Sequence, residues 1–199
     1  MRMCAAVGAA VLILTPPLGA SPQQNSREAA DRMGVKVQAM VGRFVSPDLS
    51  SSPLRTSFTE QELNAYLDVH GQDFLAPGIE NATVALLDGG TVDIRTTVDL
   101  DAVRKAETRG WLDPLAYVSG MVVVRTVGTF RTAKGQGTFT LTTATVDGVA
   151  VPKALLVELV AFHTRSPELP NGTSIDGPFA LPIGIREVEL RRGGATVVQ

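Results

Sequence analysis

Thr83-Val84-Ala85-Leu86-Leu87-Asp88-Gly89-Gly90-Thr91-Val92-Asp93-Ile94-Arg95-Thr96-Thr97-Val98-Asp99-Leu100 holds a turn between two β-type runs. Asp88-Gly89-Gly90 is a turn signal, because glycine accepts the positive φ that tight connections need. Beyond it Val92, Ile94, Val98 and Leu100 alternate with Asp93, Arg95, Thr97 and Asp99. A period of two puts one face in a core and the other in water. Strands joined by a tight turn run antiparallel, so this stretch predicts a hairpin with one covered face.

Two further hairpins are predicted downstream. Met121 to Thr132 is long and β-branched, Ala133 to Gly137 turns, and Thr138 to Val146 returns with Phe139 and Leu141 on one face. Asp147-Gly148 turns again. At the tail, Leu181 to Leu190 and Ala195 to Val198 flank a turn through Arg191 to Gly194. Helices lie between these pieces. Asn25-Ser26 opens one carrying Ala29, Ala30, Met33, Val37, Met40, Val41 and Phe44 at helical spacing. Residues 46–57 read as a polar loop, with Pro47 and Pro53. Thr59-Glu60-Gln61-Glu62 is a capping box, in which the Thr59 hydroxyl and the Glu62 carboxylate satisfy orphan amides reciprocally. It opens a helix with Leu63, Tyr66 and Leu67 on one face. Asp101 caps a short helical segment, and Pro152 suits the first turn of a helix bearing Leu155, Leu156, Leu159, Val160 and His163 on one face. Helices with apolar faces can cover a one-sided sheet, so the fold class expected is α+β on an antiparallel sheet of about six strands in three hairpins.

The first twenty residues read as a targeting segment. Arg2 is the positive n-region, Met3 to Leu14 is an apolar run too short for a stable anchor, and Leu18-Gly19-Ala20 places small residues before Ser21. Cleavage is expected after Ala20, giving a periplasmic or secreted protein. It would remove Cys4, the single cysteine, so the mature chain must be held by its core rather than by disulfides. Residues 21–57 form an N-terminal helix and polar loop, and residues 58–199 one α+β domain. Losing Arg2 leaves 17 basic residues against 20 acidic ones, a net charge of about −3. There is no basic run or stripe. That pattern argues against nucleic acid and against electrostatic docking on anionic lipid.

Catalytic chemistry has little to work with. Only His70 and His163 are present, without metal-ligand spacing. His70 reads as a loop residue, and His163 as a partly buried residue of an apolar helical face. Ser119-Gly120 lacks a Gly-x-Ser-x-Gly elbow. Asp93 and Asp99 sit on the wet side of a strand, where solvation is the ordinary role of a carboxylate. Gly135-Gln136-Gly137 lacks the strand-to-helix context of a phosphate loop. Asn81-Ala82-Thr83 and Asn171-Gly172-Thr173 match a glycosylation triplet that is frequent by chance. The reading is a non-enzyme with no cofactor and no metal.

The informative excess is apolar. Met121-Val122-Val123-Val124 is greasy on both faces of its strand, two helices carry Leu-rich faces, and aromatics are only 5% of the chain. Slim aliphatic and Thr-rich strands can curl around an elongated apolar cavity; an ordinary dry core is the commoner use of such residues.

Phe58-Thr59-Glu60-Gln61-Glu62-Leu63-Asn64-Ala65-Tyr66-Leu67, the hairpin after it, and Pro178-Phe179-Ala180-Leu181-Pro182 leading to a final hairpin resemble uncharacterised exported bacterial proteins. They are similar to the YpmS-like and LmeA-like groups and, more distantly, to the tubular lipid-binding (TULIP) superfamily. The resemblance implies a strongly twisted antiparallel sheet packed on a long helix of the C-terminal half, a tubular half-module with a groove for acyl chains. It implies no catalytic residues.

The function expected is lipid binding or shuttling in the bacterial cell envelope, with an apolar ligand, transient membrane contact and no nucleic acid. Each buried methylene contributes about 0.8 kcal/mol, so a two-tailed lipid needs no charged clamp. The expected lining is Leu63, Tyr66 and Leu67; Val123, Phe130, Phe139 and Leu141; and Leu155, Leu156, Leu159 and Val160. The alternative is an envelope interaction or scaffold module. It would pair through a sheet edge, with a homodimer through the last strand as its simplest form.

Overall fold

A computed structural model describes residues 22–46, 52–106, 119–157, 174 and 176–199. The expected targeting segment, residues 111–118, Leu159, Val160, His163 and Asn171 lie outside the described residues. The elements are α1 (Pro22–Val45), β1 (Arg55–Thr59), α2 (Glu60–His70), β2 (Ile79–Leu86), β3 (Thr91–Asp99), α3 (Leu100–Ala106), β4 (Met121–Ala133), β5 (Gln136–Val146), β6 (Val149–Ala150), β7 (Pro178–Ala180), β8 (Glu187–Arg191) and β9 (Gly194–Val198).

The protein is α+β, and among the described residues all strand pairs are antiparallel. β2-β3-β4-β5-β6 form one sheet, and β7 joins it at β5 to make six strands. The first two expected hairpins are both in this sheet. In two of its turns both central residues take positive φ, as two-residue hairpins prefer: Lys134 at 51° with Gly135 at 79°, and Asp147 at 48° with Gly148 at 80°.

The third hairpin departs from expectation. β8 and β9 leave the six-stranded sheet and form a second sheet in the order β1-β9-β8. The polar loop expected over 46–57 therefore ends early, because Arg55, Thr56 and Ser57 are strand, paired with Val198, Val197 and Thr196. Five residues with alternating exposure carry little local signal; their partner is about 140 positions away in the chain, and tertiary pairing decides the conformation. The long strand expected from Leu181 is also split. Ile183 takes φ +47° and the Ile185 amide bonds the Pro182 carbonyl at 3.1 Å, so the chain turns there before β8 begins. Among the described residues the longest helix is α1, with 24 residues, in the N-terminal part. Of the helix expected after Pro152, residues 153–157 are described as helical.

Side chains stand in for strands along the sheet borders. Asn64 of α2 donates through Nδ2 to the Val84 carbonyl at 2.9 Å and accepts the Val84 amide at 2.7 Å. One helical turn earlier, Glu60 accepts the Leu86 amide at 2.7 Å. Four helical residues rise about 6 Å and two strand residues about 6.6 Å, so positions i and i+4 of a helix can match i and i+2 of an edge strand. Thr132 does the same for β8: its hydroxyl accepts the Val188 amide at 2.8 Å and donates to the Val188 carbonyl at 3.1 Å.

Glu62 ties the helices together. The capping box is present in full, with Thr59 Oγ1 accepting the Glu62 amide and Glu62 accepting the Thr59 amide. The same carboxylate, only 6% exposed, accepts Lys36 Nζ at 2.7 Å and Arg32 Nε at 3.3 Å from α1. Ala29 and Ala30 of α1 pack on Ala65 of α2 beside it. Burial pushes the Glu62 carboxyl up, but the hydrogen bonds from Lys36, the Thr59 amide and Arg32 together outweigh it and hold the group below the ordinary 4.5.

A folded-state value below the unfolded one means that the Glu62 contribution is complete above the ordinary glutamate value and is lost as pH falls through the depressed one. Urea unfolding from about pH 6 to about pH 3 should therefore show Glu62→Gln less stable than the parent by about 1–3 kcal/mol at the upper end, with the gap narrowing at the lower end. A gap independent of pH would contradict this role. Separately, Asn64→Leu should cost about 1–3 kcal/mol by leaving the Val84 amide and carbonyl without partners. Hydrogen exchange should show the Val84 amide losing protection in that variant.

Candidate functional site: an apolar recess between the sheets

The two sheets meet through backbone contacts at their borders. Gly193, at the tip of the β8–β9 hairpin, accepts the Glu60 amide at 2.8 Å and donates to the Leu86 carbonyl at 2.9 Å. Its φ of +72° is one that glycine adopts freely. Beside it Arg192 pairs with Asp88 at 2.7 Å. At the opposite corner, the Gly135 amide bonds the Arg186 carbonyl at 2.8 Å, next to the Thr132–Val188 pair.

Between these seams lies a recess of about 250 Å³ lined only by apolar residues. Leu86, Val92 and Ala195 form its buried floor. Ile94, Phe130 and Phe139 rise from the six-stranded sheet, Phe58, Val188 and Leu190 from the three-stranded one, and Leu63 from the first turn of α2. These walls are half-buried rather than sealed. No side chain among the described residues is both large and fully buried, so the space between the sheets is filled by slim or partly exposed groups.

Gly128 shapes the aromatic wall. A Cβ at this position would stand 2.5 Å from Phe139 Cζ and 2.6 Å from the Thr140 carbonyl oxygen, so the Phe139 ring lies directly over the β4 backbone. Gly137 plays the same part under Phe179, where a Cβ would stand 2.9 Å from the ring. Phe179 in turn stacks on Phe130 with centroids 6.2 Å apart.

Of the residues singled out from the sequence, Leu63, Phe130 and Phe139 meet in this recess. The others do not. Tyr66 faces α1, where a Cβ on Gly34 would stand 3.9 Å from its ring; it stacks with Phe74 and meets His70 at a tilt of 40°. Leu67 is half-buried near the end of α2, where its carbonyl accepts the Gly71 amide. Val123 is half-buried near the far end of β4, bonded to Asp147. Leu141 is buried outside the recess, its amide donating to Asp176 at 3.1 Å. Leu155 is 47% exposed and Leu156 half-buried. Leu159 and Val160 lie outside the described residues. Helical spacing puts Leu63, Tyr66 and Leu67 on neighbouring positions, yet α2 touches the recess only with its first turn.

Seven lining residues were not singled out. Val92 and Ile94 were legible, since they form the apolar face of the alternating strand. Leu86 was legible too, as the partner of Val92 across the predicted hairpin; Phe58, Val188, Leu190 and Ala195 carry no local signal, because what places them is the pairing of β9 with β1 and β8.

Asp93 and Asp99 of the sheet are engaged structurally. Asp93 takes a bidentate pair from Arg125, with contacts of 2.6–3.2 Å; the Arg125 hydrogen bond holds its carboxyl below the usual range against an opposing effect of burial. Asp99 accepts the Asp101 and Ala102 amides and so caps α3. Among the described residues no group of three or more His, Cys, Asp or Glu side chains could hold a metal ion. His70 faces Asp73 at 3.8 Å. A second, polar hollow of about 500 Å³ runs between α2 and β2 past Gln61, Asp68 and Asn81. Among the described residues no helix is long and apolar enough to cross a membrane.

Replacing Gly128 by Ala is expected to destabilise the fold by about 1–3 kcal/mol through this overpacking, read as a lowered urea midpoint at an unchanged slope. A neutral substitution would mean that the ring does not lie over the β4 backbone.

No family model matches this chain, and no curated protein and no solved structure matches it either.

Proposed function

We propose that this chain is an exported carrier of apolar ligands in the bacterial cell envelope, taking acyl chains into the recess between its two sheets. The observation that carries the reading is the lining: ten side chains from α2 and both sheets converge on about 250 Å³, and all ten are apolar. Burial of hydrocarbon is the interaction such a surface offers, at about 0.8 kcal/mol per methylene. The targeting segment supports the envelope location. The resemblance to the YpmS-like, LmeA-like and tubular lipid-binding proteins supports a lipid as the ligand and a tubular half-module as the architecture.

The scaffold reading has less support. β9, the strand expected to offer an open edge, lies between β1 and β8. Asn64 and Glu60 occupy backbone groups of β2, and Thr132 those of β8. A partner strand would have to displace these contacts.

Titration of the purified chain with a fluorescent fatty acid tests the proposal. A single saturable site is expected. Ile94→Asp should weaken it by about tenfold or more, since a carboxylate on the wall removes apolar area worth about 1.5–3 kcal/mol and adds a group that resists desolvation. Retained far-UV circular dichroism would confirm that the variant folds. Unchanged affinity in Ile94→Asp would place the ligand elsewhere, and no binding at all would end the carrier reading.

A further inference from the structure

We infer that the recess admits one unbranched hydrocarbon chain of about ten carbons and is indifferent to the headgroup attached to it. This rests on the reading of the recess as the ligand site, and it narrows the ligand class from lipids in general to single-chain amphiphiles.

Two observations carry it. The first is size. An apolar cavity of about 150 Å³ accommodates a six-carbon ring; by proportion, 250 Å³ holds about ten carbons. That volume is also below the roughly 300–1,000 Å³ of sites that enclose a drug-sized ligand. Two membrane-lipid tails do not fit together. The second is chemistry. No polar side chain lines the recess. Thr132, on the neighbouring β4 position, has its hydroxyl committed to Val188 as both donor and acceptor. Nothing inside can therefore bind a carboxylate, a hydroxyl or a phosphate, and a polar headgroup must stay in water at the mouth. The buried Ala195 sets the depth of the floor.

Isothermal titration of the purified chain with straight-chain alcohols of six to fourteen carbons, decanoate, decanoyl lysophosphatidylcholine and didecanoyl phosphatidylcholine tests this. Affinity for the alcohols should rise about fourfold per added methylene, the equivalent of 0.8 kcal/mol, and level off near ten carbons. Decanol, decanoate and the lysolipid should agree within about threefold, and the two-chain lipid should bind no tighter per site than the lysolipid. Ala195→Leu should move the plateau to shorter chains. Ile94→Ala, which widens the recess instead of filling it, should move it to longer ones. Tighter binding of the two-chain lipid, or a difference of about tenfold between decanol and decanoate, would overturn the single-chain inference while leaving the carrier reading in place. A plateau that neither variant moves would overturn it too, by showing that the recess does not set the limit. Failure of every probe to bind would remove both.

Discussion

Gly193 sits where the two sheets and α2 meet. Its carbonyl holds the first amide of α2 through Glu60, and its amide holds the last carbonyl of β2 through Leu86. These bonds fix the tip of the β8–β9 hairpin against the end of the six-stranded sheet. Thr132 and Gly135 fix the other corner through Val188 and Arg186. Polar contacts at the seams set the separation of the sheets, and the apolar side chains between them must fill whatever space that separation leaves. They do not fill it, and the recess is the remainder.

The same device recurs: a side chain with both a donor and an acceptor replaces a missing strand. Asn64 does so for Val84, and Thr132 for Val188. Each satisfies a backbone amide and carbonyl that burial would otherwise make costly. Edge groups engaged in this way offer less to a foreign strand. Glu62 extends the polar framework to α1: it is cap, ion pair and buried acceptor at once. The hydrocarbon of the recess walls is thus held by a frame whose strength comes from hydrogen bonds at its rim.

Much of the frame is legible in the chain. The Thr59–Glu62 capping box, the turns at Lys134-Gly135 and Asp147-Gly148, and the alternation of Val92 and Ile94 each follow from the stereochemistry of a few adjacent residues. What is not legible concerns residues whose partners are distant. Ser57 reads as loop until Thr196 lies beside it, with the two hydroxyls 2.8 Å apart. Ala195 reads as an ordinary strand residue until two sheets close over it. Leu155 reads as core on helical spacing, yet it is half exposed.

By itself, then, the amino-acid order determined that this protein is α+β, where its tight hairpin turns fall, and where its second helix begins, because turns and caps are set by a few adjacent residues. Only the tertiary structure decided that the last hairpin would desert the larger sheet for β1, and that ten apolar side chains would converge on one recess. Pairing across more than a hundred residues and the mutual distance of two sheets are set by contacts that have no signature in any local window.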